Sequence, residues 1–223
     1  MNSFSKSIWS LFAALSFLGC TDDEPKKNSN PNGAEWKKVE IPDNGPVYAI
    51  HGDIDDVIQV SVYNRIWKSE DGGESWKKMF TTIDVVDNFK QHGDTLFAIT
   101  NFTDYYSLTN GDSWESFDKE LETESQDLIE TGNGIQYRIV YHFDGELALP
   151  NELEKSVDTG SNWKSIYPYD HAIYYLAIDD ESRLYVGINS SFEWDEEMGW
   201  FTEDFENKAA FYYSLSDLVY GYK

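Results

Sequence analysis

The segment Phe192-Glu193-Trp194-Asp195-Glu196-Glu197-Met198-Gly199-Trp200-Phe201 brings two Trp, two Phe and four acids together. Flat aromatic faces interleaved with carboxylates suit sugar rings or the basic side chains of a partner. Trp194, Trp200 and Phe201 are therefore the candidate ligand-binding residues, and Tyr167, Tyr169 and His171 are candidates to share that surface. Acid pairs such as Glu193 and Asp195 have the makings of a glycosidase dyad, but a chain with 41 Asp and Glu supplies too many such pairs to single one out.

Other chemistries find less support. One cysteine, Cys20, excludes an internal disulfide framework and any multi-cysteine zinc site. Walker-type, dinucleotide-binding, His-Glu-x-x-His and Gly-x-Ser-x-Gly patterns are absent from the sequence. Asp53-Ile54-Asp55-Asp56 lacks the spacing and terminal Glu of a calcium loop, so it reads as solvated acids. No metal, cofactor or catalytic residue is expected.

The 223 residues hold 17 Lys and Arg against 41 Asp and Glu, a formal charge of −24, which removes the basic footprint that nucleic acid requires. A 40% hydrophobic and 16% aromatic content is too high for a disordered acidic chain, so a folded body is expected.

Residues Met1 to Gly19 carry a single ionisable side chain, Lys6, then an apolar run from Ile8 to Leu18 that is short for a membrane span and reads as a signal peptide. Its end, Phe17-Leu18-Gly19-Cys20, resembles the lipobox of bacterial lipoproteins, with Phe17 where Leu is usual. That resemblance implies lipidation of Cys20, and acyl chains bury about 0.8 kcal/mol per methylene in a bilayer. Thr21-Asp22-Asp23-Glu24 resembles the acidic export signals of surface lipoproteins in the Bacteroidetes; a plain solvated charge run is the competing account. The organisation expected is a leader over 1–19, a lipidated Cys and flexible tether over 20–33, and a folded domain over 34–223.

That domain repeats. Ser69-Glu70-Asp71-Gly72-Gly73-Glu74-Ser75-Trp76 returns as Ser156-Val157-Asp158-Thr159-Gly160-Ser161-Asn162-Trp163, and in degenerate form as Ser107-Leu108-Thr109-Asn110-Gly111-Asp112-Ser113-Trp114. Within each unit the Asp accepts backbone N–H bonds, the Gly supplies an unusual backbone angle, and the Trp pins the turn. The pattern Ser-x-Asp-x-Gly-x-x-Trp resembles the Asp-box, or BNR repeat, of sialidase- and sortilin-like β-propellers. In that family the turn is structural and lies away from the usual ligand face. A second series, His51-Gly52-Asp53, His92-Gly93-Asp94, Thr131-Gly132-Asn133 and Asp179-Asp180-Glu181, precedes β-rich runs and reads as hairpin turns.

Trp36 stands in phase with Trp76, Trp114 and Trp163. Each repeat reads as four short strands, A to D, and the whole as an all-β propeller of four blades. Blade four has no Trp-bearing last strand after Ser214, whereas Trp36–Ile41 is such a strand without its first three. The N-terminal strand is therefore expected to close the ring, leaving no open edge. Five blades are the alternative if the long segments of blades three and four, or Leu218–Tyr222, hide further strands.

In this geometry the A–B and C–D turns share one rim, and the B–C and D–A loops form the other, where a ligand is expected: Tyr63-Asn64, Asn101–Tyr105, Phe143–Glu152, Asn189–Asn207, Asp43–Pro46, Thr81–Asp84, Asp118–Gln126 and Tyr167–His171. The loop Asn189–Asn207 is the longest there; Trp194, Trp200 and Phe201 either face outward from it or fold back over the blade edge, and Tyr167, Tyr169 and His171 either join them or pack between blades. Tyr137-Arg138-Ile139 resembles the sialidase sequence with the first arginine of a carboxylate-binding triad. It follows two boxes instead of preceding them, and Arg65, Arg138 and Arg183 are the only arginines. The sequence thus points to a monomeric lipoprotein on the outer face of an outer membrane, binding a glycan or an envelope protein without turnover. A glycoside hydrolase and an assembly or scaffold factor are the alternatives.

Overall fold

A computed structural model describes residues 35–119, 121–122, 127–144, 147–169, 171–189, 192–195, 200–203 and 208–215, without the side chains of 143–144, 147–149, 151, 192–195 and 200–203. The expected leader, Cys20 and the tether lie outside the described residues.

The described chain is all β, in four antiparallel four-stranded sheets and one hairpin. After β1 (Trp36–Asn44), blade one comprises β2 (Val47–Gly52), β3 (Ile58–Val62), β4 (Arg65–Ser69) and β5 (Lys77–Thr81). Blade two comprises β6 (Val86–His92), β7 (Thr95–Thr100), β8 (Thr103–Ser107) and β9 (Glu115–Asp118). Blade three holds β10 (Leu128–Glu130), β11 (Gln136–Asp144), β12 (Leu147–Ser156) and β13 (Lys164–Ser165). Blade four begins with β14 (Ala172–Ile178) and β15 (Leu184–Asn189). The hairpin of β16 (Phe192–Asp195) and β17 (Trp200–Glu203) interrupts it before β18 (Lys208–Ser214), and β1 is its outermost strand.

The terminal strand sits where the repeat phase requires: Trp36 pairs with Ser214, and Val39 with Phe211. Val39 and Ile41 of this strand are buried. The blade-four segment expected to hide extra strands does contain two, which pair only with each other in a separate sheet; Leu218–Tyr222 lies outside the described residues, and the described strands build no fifth blade. The loop expected over Phe143–Glu152 is mostly strand, because β11 and β12 continue past the other blades' turns. Pro150 is accommodated where the register shifts, a place in which a missing N–H costs little.

Second strands are sandwiched between neighbouring blades, so β3 and β15 are buried on both faces, while the outer strand β5 is largely exposed. At Gly187 a Cβ would lie 2.7 Å from the Val47 carbonyl oxygen, so only glycine permits this approach of blades four and one. Two buried apolar clusters result. The first, including Ile41, Ala49, Val60, Phe89, Leu96 and Phe211, joins blades four, one and two. The second, including Tyr137, Leu153, Ile173 and Tyr212, joins blades three and four. Among the described residues, neither cluster links blades two and three.

Candidate functional site

The two rims differ in kind. On the A–B and C–D side, the Asp71 carboxylate accepts from Ser69 Oγ (2.9 Å) and the Ser75 amide (2.9 Å), while the Gly73 amide donates to Ser69 Oγ (3.0 Å). Asp158 repeats this with Ser156 Oγ (2.8 Å) and the Asn162 amide (2.8 Å), and the Gly160 amide donates to Ser156 Oγ (2.9 Å). Hydrogen bonds from Asn162 and Ser156 hold the Asp158 carboxyl down at about 2. In the degenerate box Thr109 Oγ1 takes the carboxylate's place, accepting from the Ser113 amide (2.9 Å), and the Gly111 amide still donates to Ser107 Oγ (2.8 Å). The Trp114 and Trp163 indoles donate to the Gly111 and Gly160 carbonyls (3.0 and 2.9 Å). Trp76 Nε1 finds no such acceptor, and that ring packs edge-on to Phe211 instead.

A cleft of about 780 Å³ opens on this rim, lined by residues including His51, Gln91, Asp53, Asp94, Asp179 and Asp180. Two of its acids, Asp53 and Asp179, are already committed. Arg183 pairs with Asp53, Asp55, Glu181 and Asp179, and the Tyr185 hydroxyl donates to Asp179 Oδ2 (2.8 Å). The Asp55 amide donates to Asp53 Oδ1 (2.7 Å). His51 Nε2 meets Gln91 Oε1 at 2.9 Å; burial lowers the imidazole pKa, with that bond and the Asp180 charge opposing. These contacts staple adjacent A–B turns and leave the cleft a solvated seam.

Of the residues expected to bind, Tyr167 and His171 are buried and Tyr169 is half-buried. Tyr169 stacks on Tyr212 at 4.3 Å and 22°, His171 lies parallel to Tyr212 at 5.9 Å, and Tyr167 meets Trp36 edge-on at 5.7 Å. Their rings therefore pack the seam of blades three and four. The backbone pairs Trp194 with Phe201 and Asp195 with Trp200, and these side chains lie outside the described residues. The three arginines do not converge: Arg65 pairs with Asp43, Arg183 with the acids above, and Arg138 with Glu154 (2.6 Å) while lying 4.0 Å from the Trp163 ring centre.

The opposite rim has a feature that the strand pattern concealed. Near the start of three innermost strands the ladder skips one residue: Tyr48 in β2, Asp87 in β6 and Tyr174 in β14. A bulge turns its extra side chain away from the regular alternation, and equivalent bulges in three blades place these residues about one axial mouth. Tyr48 lies 5.3 Å from Tyr174, edge-on at 85°, and 5.8 Å from Tyr63 of the β3–β4 turn. Burial first, then Tyr174, Tyr63 and Asp87, push the Tyr48 phenol up to about 12. Blade three adds Tyr141, whose hydroxyl donates to Asp127 Oδ1 (2.9 Å); burial, that bond and nearby Tyr174 push it to about 12 as well. Both phenols stay protonated at neutral pH. Below them the buried Tyr175 hydroxyl donates to Asn88 Oδ1 (2.6 Å), tying blade four to blade two beneath the mouth.

Period-two reading could not find Tyr48, Asp87 and Tyr174, because a bulge breaks that period without leaving a mark in sequence. Around them the rim carries six of the nine exposed large apolar or aromatic side chains among the described residues: Tyr63, Ile83, Phe102, Leu128, Tyr141 and Tyr174. Ile83 is 83% exposed and Phe102 78%, where a monomer gains nothing from either.

No protein-family model matches the chain, and no curated protein matches its sequence. Among solved structures it is similar to YCF48 bound to D1 peptide, at 16% identity over 82% of this chain and 61% of that one, with a TM-score of 0.33. YCF48 from Cyanidioschyzon merolae is similar at 15% identity over 77% and 60%, TM-score 0.33. The nidogen/laminin complex is similar at 14% over 63% and 56%, TM-score 0.30. The chain thus spans about three fifths of the length of each. At these scores the likeness carries nothing about ligand or activity, and the architecture rests on the four sheets themselves.

Proposed function

We propose that this is a cell-surface lipoprotein whose propeller binds a partner, without turnover, on the rim of B–C and D–A loops. The observation that carries the binding reading is the gathering of exposed apolar and aromatic side chains on that one rim. Ile83 and Phe102 favour a protein partner, since aliphatic and aromatic side chains form the dry centre of protein interfaces. The absence of turnover is supported by the separation of the three arginines, each paired with its own carboxylate. A glycan is the second reading, favoured by the aromatic and acidic residues of the β16–β17 hairpin.

The test is capture from native outer-membrane extract and on immobilised glycans. Wild type is expected to retain a stoichiometric protein that Ile83→Asp/Phe102→Asp loses and Leu108→Asp/Val157→Asp, on the other rim, keeps. Retention of a glycan that Trp194→Ala/Trp200→Ala abolishes would instead favour the second reading, and release of free sugar would overturn the absence of turnover. For the anchor, Cys20→Ala is expected to abolish fatty-acid labelling and move the protein to the soluble fraction; unchanged labelling would refute lipidation there.

A further inference from the structure

We propose that the axial mouth receives one basic side chain, lysine or arginine, projecting from a protein partner. This rests on the binding-rim reading and names the chemistry of its centre. Tyr48, Tyr63 and Tyr174 stand at mutual tilts of 49° and 85°, so the mouth presents both ring faces and ring edges. The faces of neutral phenol rings attract cations, the more so where water is partly excluded. Arg65, whose guanidinium carbon sits 5.8 Å from the Tyr63 ring centre, shows that this ring already accepts such a neighbour from within the chain.

The carboxylates beside these rings lack full compensation. Asp87 is half-buried, and burial, followed by the charge of Asp84, pushes its carboxyl up, with Lys119 acting the other way. Asp84 has Oδ1 occupied by the Val85 amide (2.8 Å), while its Oδ2 is buried without a hydrogen-bond donor. A buried acceptor left unfilled beside a second carboxylate is costly, and a cationic N–H donor removes both penalties together. The basic residues nearby are spent: Lys119 Nζ donates to the Thr100 carbonyl (2.7 Å) and to Asp104 (3.1 Å), and Arg65 is held by Asp43. With a chain charge of −24, the phenol rings and the two neighbouring carboxylates suit the mouth to a single positive side chain from outside.

The experiment titrates the full chain with the peptide acetyl-Gly-Gly-Lys-Gly-Gly-amide and its Arg, Met and Glu counterparts, followed by the tyrosine ring signals in NMR. Lys and Arg peptides are expected to bind saturably and to shift Tyr48 and Tyr174, whereas Met and Glu peptides shift neither. Tyr48→Leu and the near-isosteric Asp87→Asn are each expected to weaken binding about fivefold or more, and Asp84→Asn/Asp87→Asn to abolish it. Tyr106→Leu, on a tyrosine whose hydroxyl meets Glu115 away from the mouth, is the control expected to bind as wild type. Equal binding of the Glu peptide, no shift with either basic peptide, or full binding by Asp84→Asn/Asp87→Asn would overturn the proposal. So would an equal loss in Tyr106→Leu, the mark of a diffuse attraction to the acidic surface. If the protein captured from the extract is lost by Ile83→Asp/Phe102→Asp but kept by Asp84→Asn/Asp87→Asn, the binding rim stands and its cationic centre falls.

Discussion

A chain lacking residues 34–41 is expected to lose at least about 5 kcal/mol of stability, enough to unfold much of the population, given that domains of this size are stable by only about 5–15 kcal/mol. The deletion removes the strand that pairs residue by residue with β18 from Trp36↔Ser214 to Glu40↔Ala210. It also takes Val39 and Ile41 out of the first core cluster, each worth about 1.5–3 kcal/mol when fully buried. Phe211 and Tyr213 would lose cover, and β18 would become an unpaired edge. Deleting residues 22–31, in the expected tether, is expected to leave the unfolding free energy from urea denaturation within about 0.5 kcal/mol of wild type. Equal midpoints for the two truncations would show that the N-terminal strand does not hold blade four.

Arg183→Ala is expected to cost about 3 kcal/mol, because it leaves an acid buried without its counter-charge. The Asp179 side chain is only 2% exposed, and its Oδ2 receives Arg183 Nε at 2.8 Å. The same guanidinium reaches Asp53 and Asp55 in the first turn of blade one, so it fastens blade four to blade one across 128 or more positions of sequence. Changing Asp179 to Asn in the Arg183→Ala background should recover part of the loss, since a neutral amide tolerates burial better than a carboxylate. A change below about 0.5 kcal/mol in chemical denaturation, the range of an exposed pair, would reduce the network to surface decoration.

Legibility in the sequence followed the range of the interactions involved. The boxes were readable because each closes on itself: Ser156, Asp158, Gly160 and Asn162 satisfy one another within seven residues. The phase of Trp36 with the other three tryptophans was enough to place β1 on blade four. Tyr167, Tyr169 and His171 stood out as aromatic and polar residues beside a turn, yet whether such rings face water or one another depends on Trp36 and Tyr212, remote in sequence. The segment over 143–152 read as a loop because its Pro and Asn suppress strand propensity, whereas pairing of β11 with β12 overrides it.

By itself the sequence determined the class of fold and the strand that completes the last blade, since both follow from short repeated turns whose hydrogen bonds span a few residues; it left four blades or five open. Only the tertiary structure brought together the residues proposed to hold a ligand. Tyr48, Tyr63, Asp84, Asp87, Tyr141 and Tyr174 come from four blades, and they meet because bulges rotate three of them off the regular alternation and the circular arrangement of sheets brings their strand starts to one axis. A bulge is a property of pairing between two strands, and an axis is a property of all the sheets together, so neither can be read from the local order of residues.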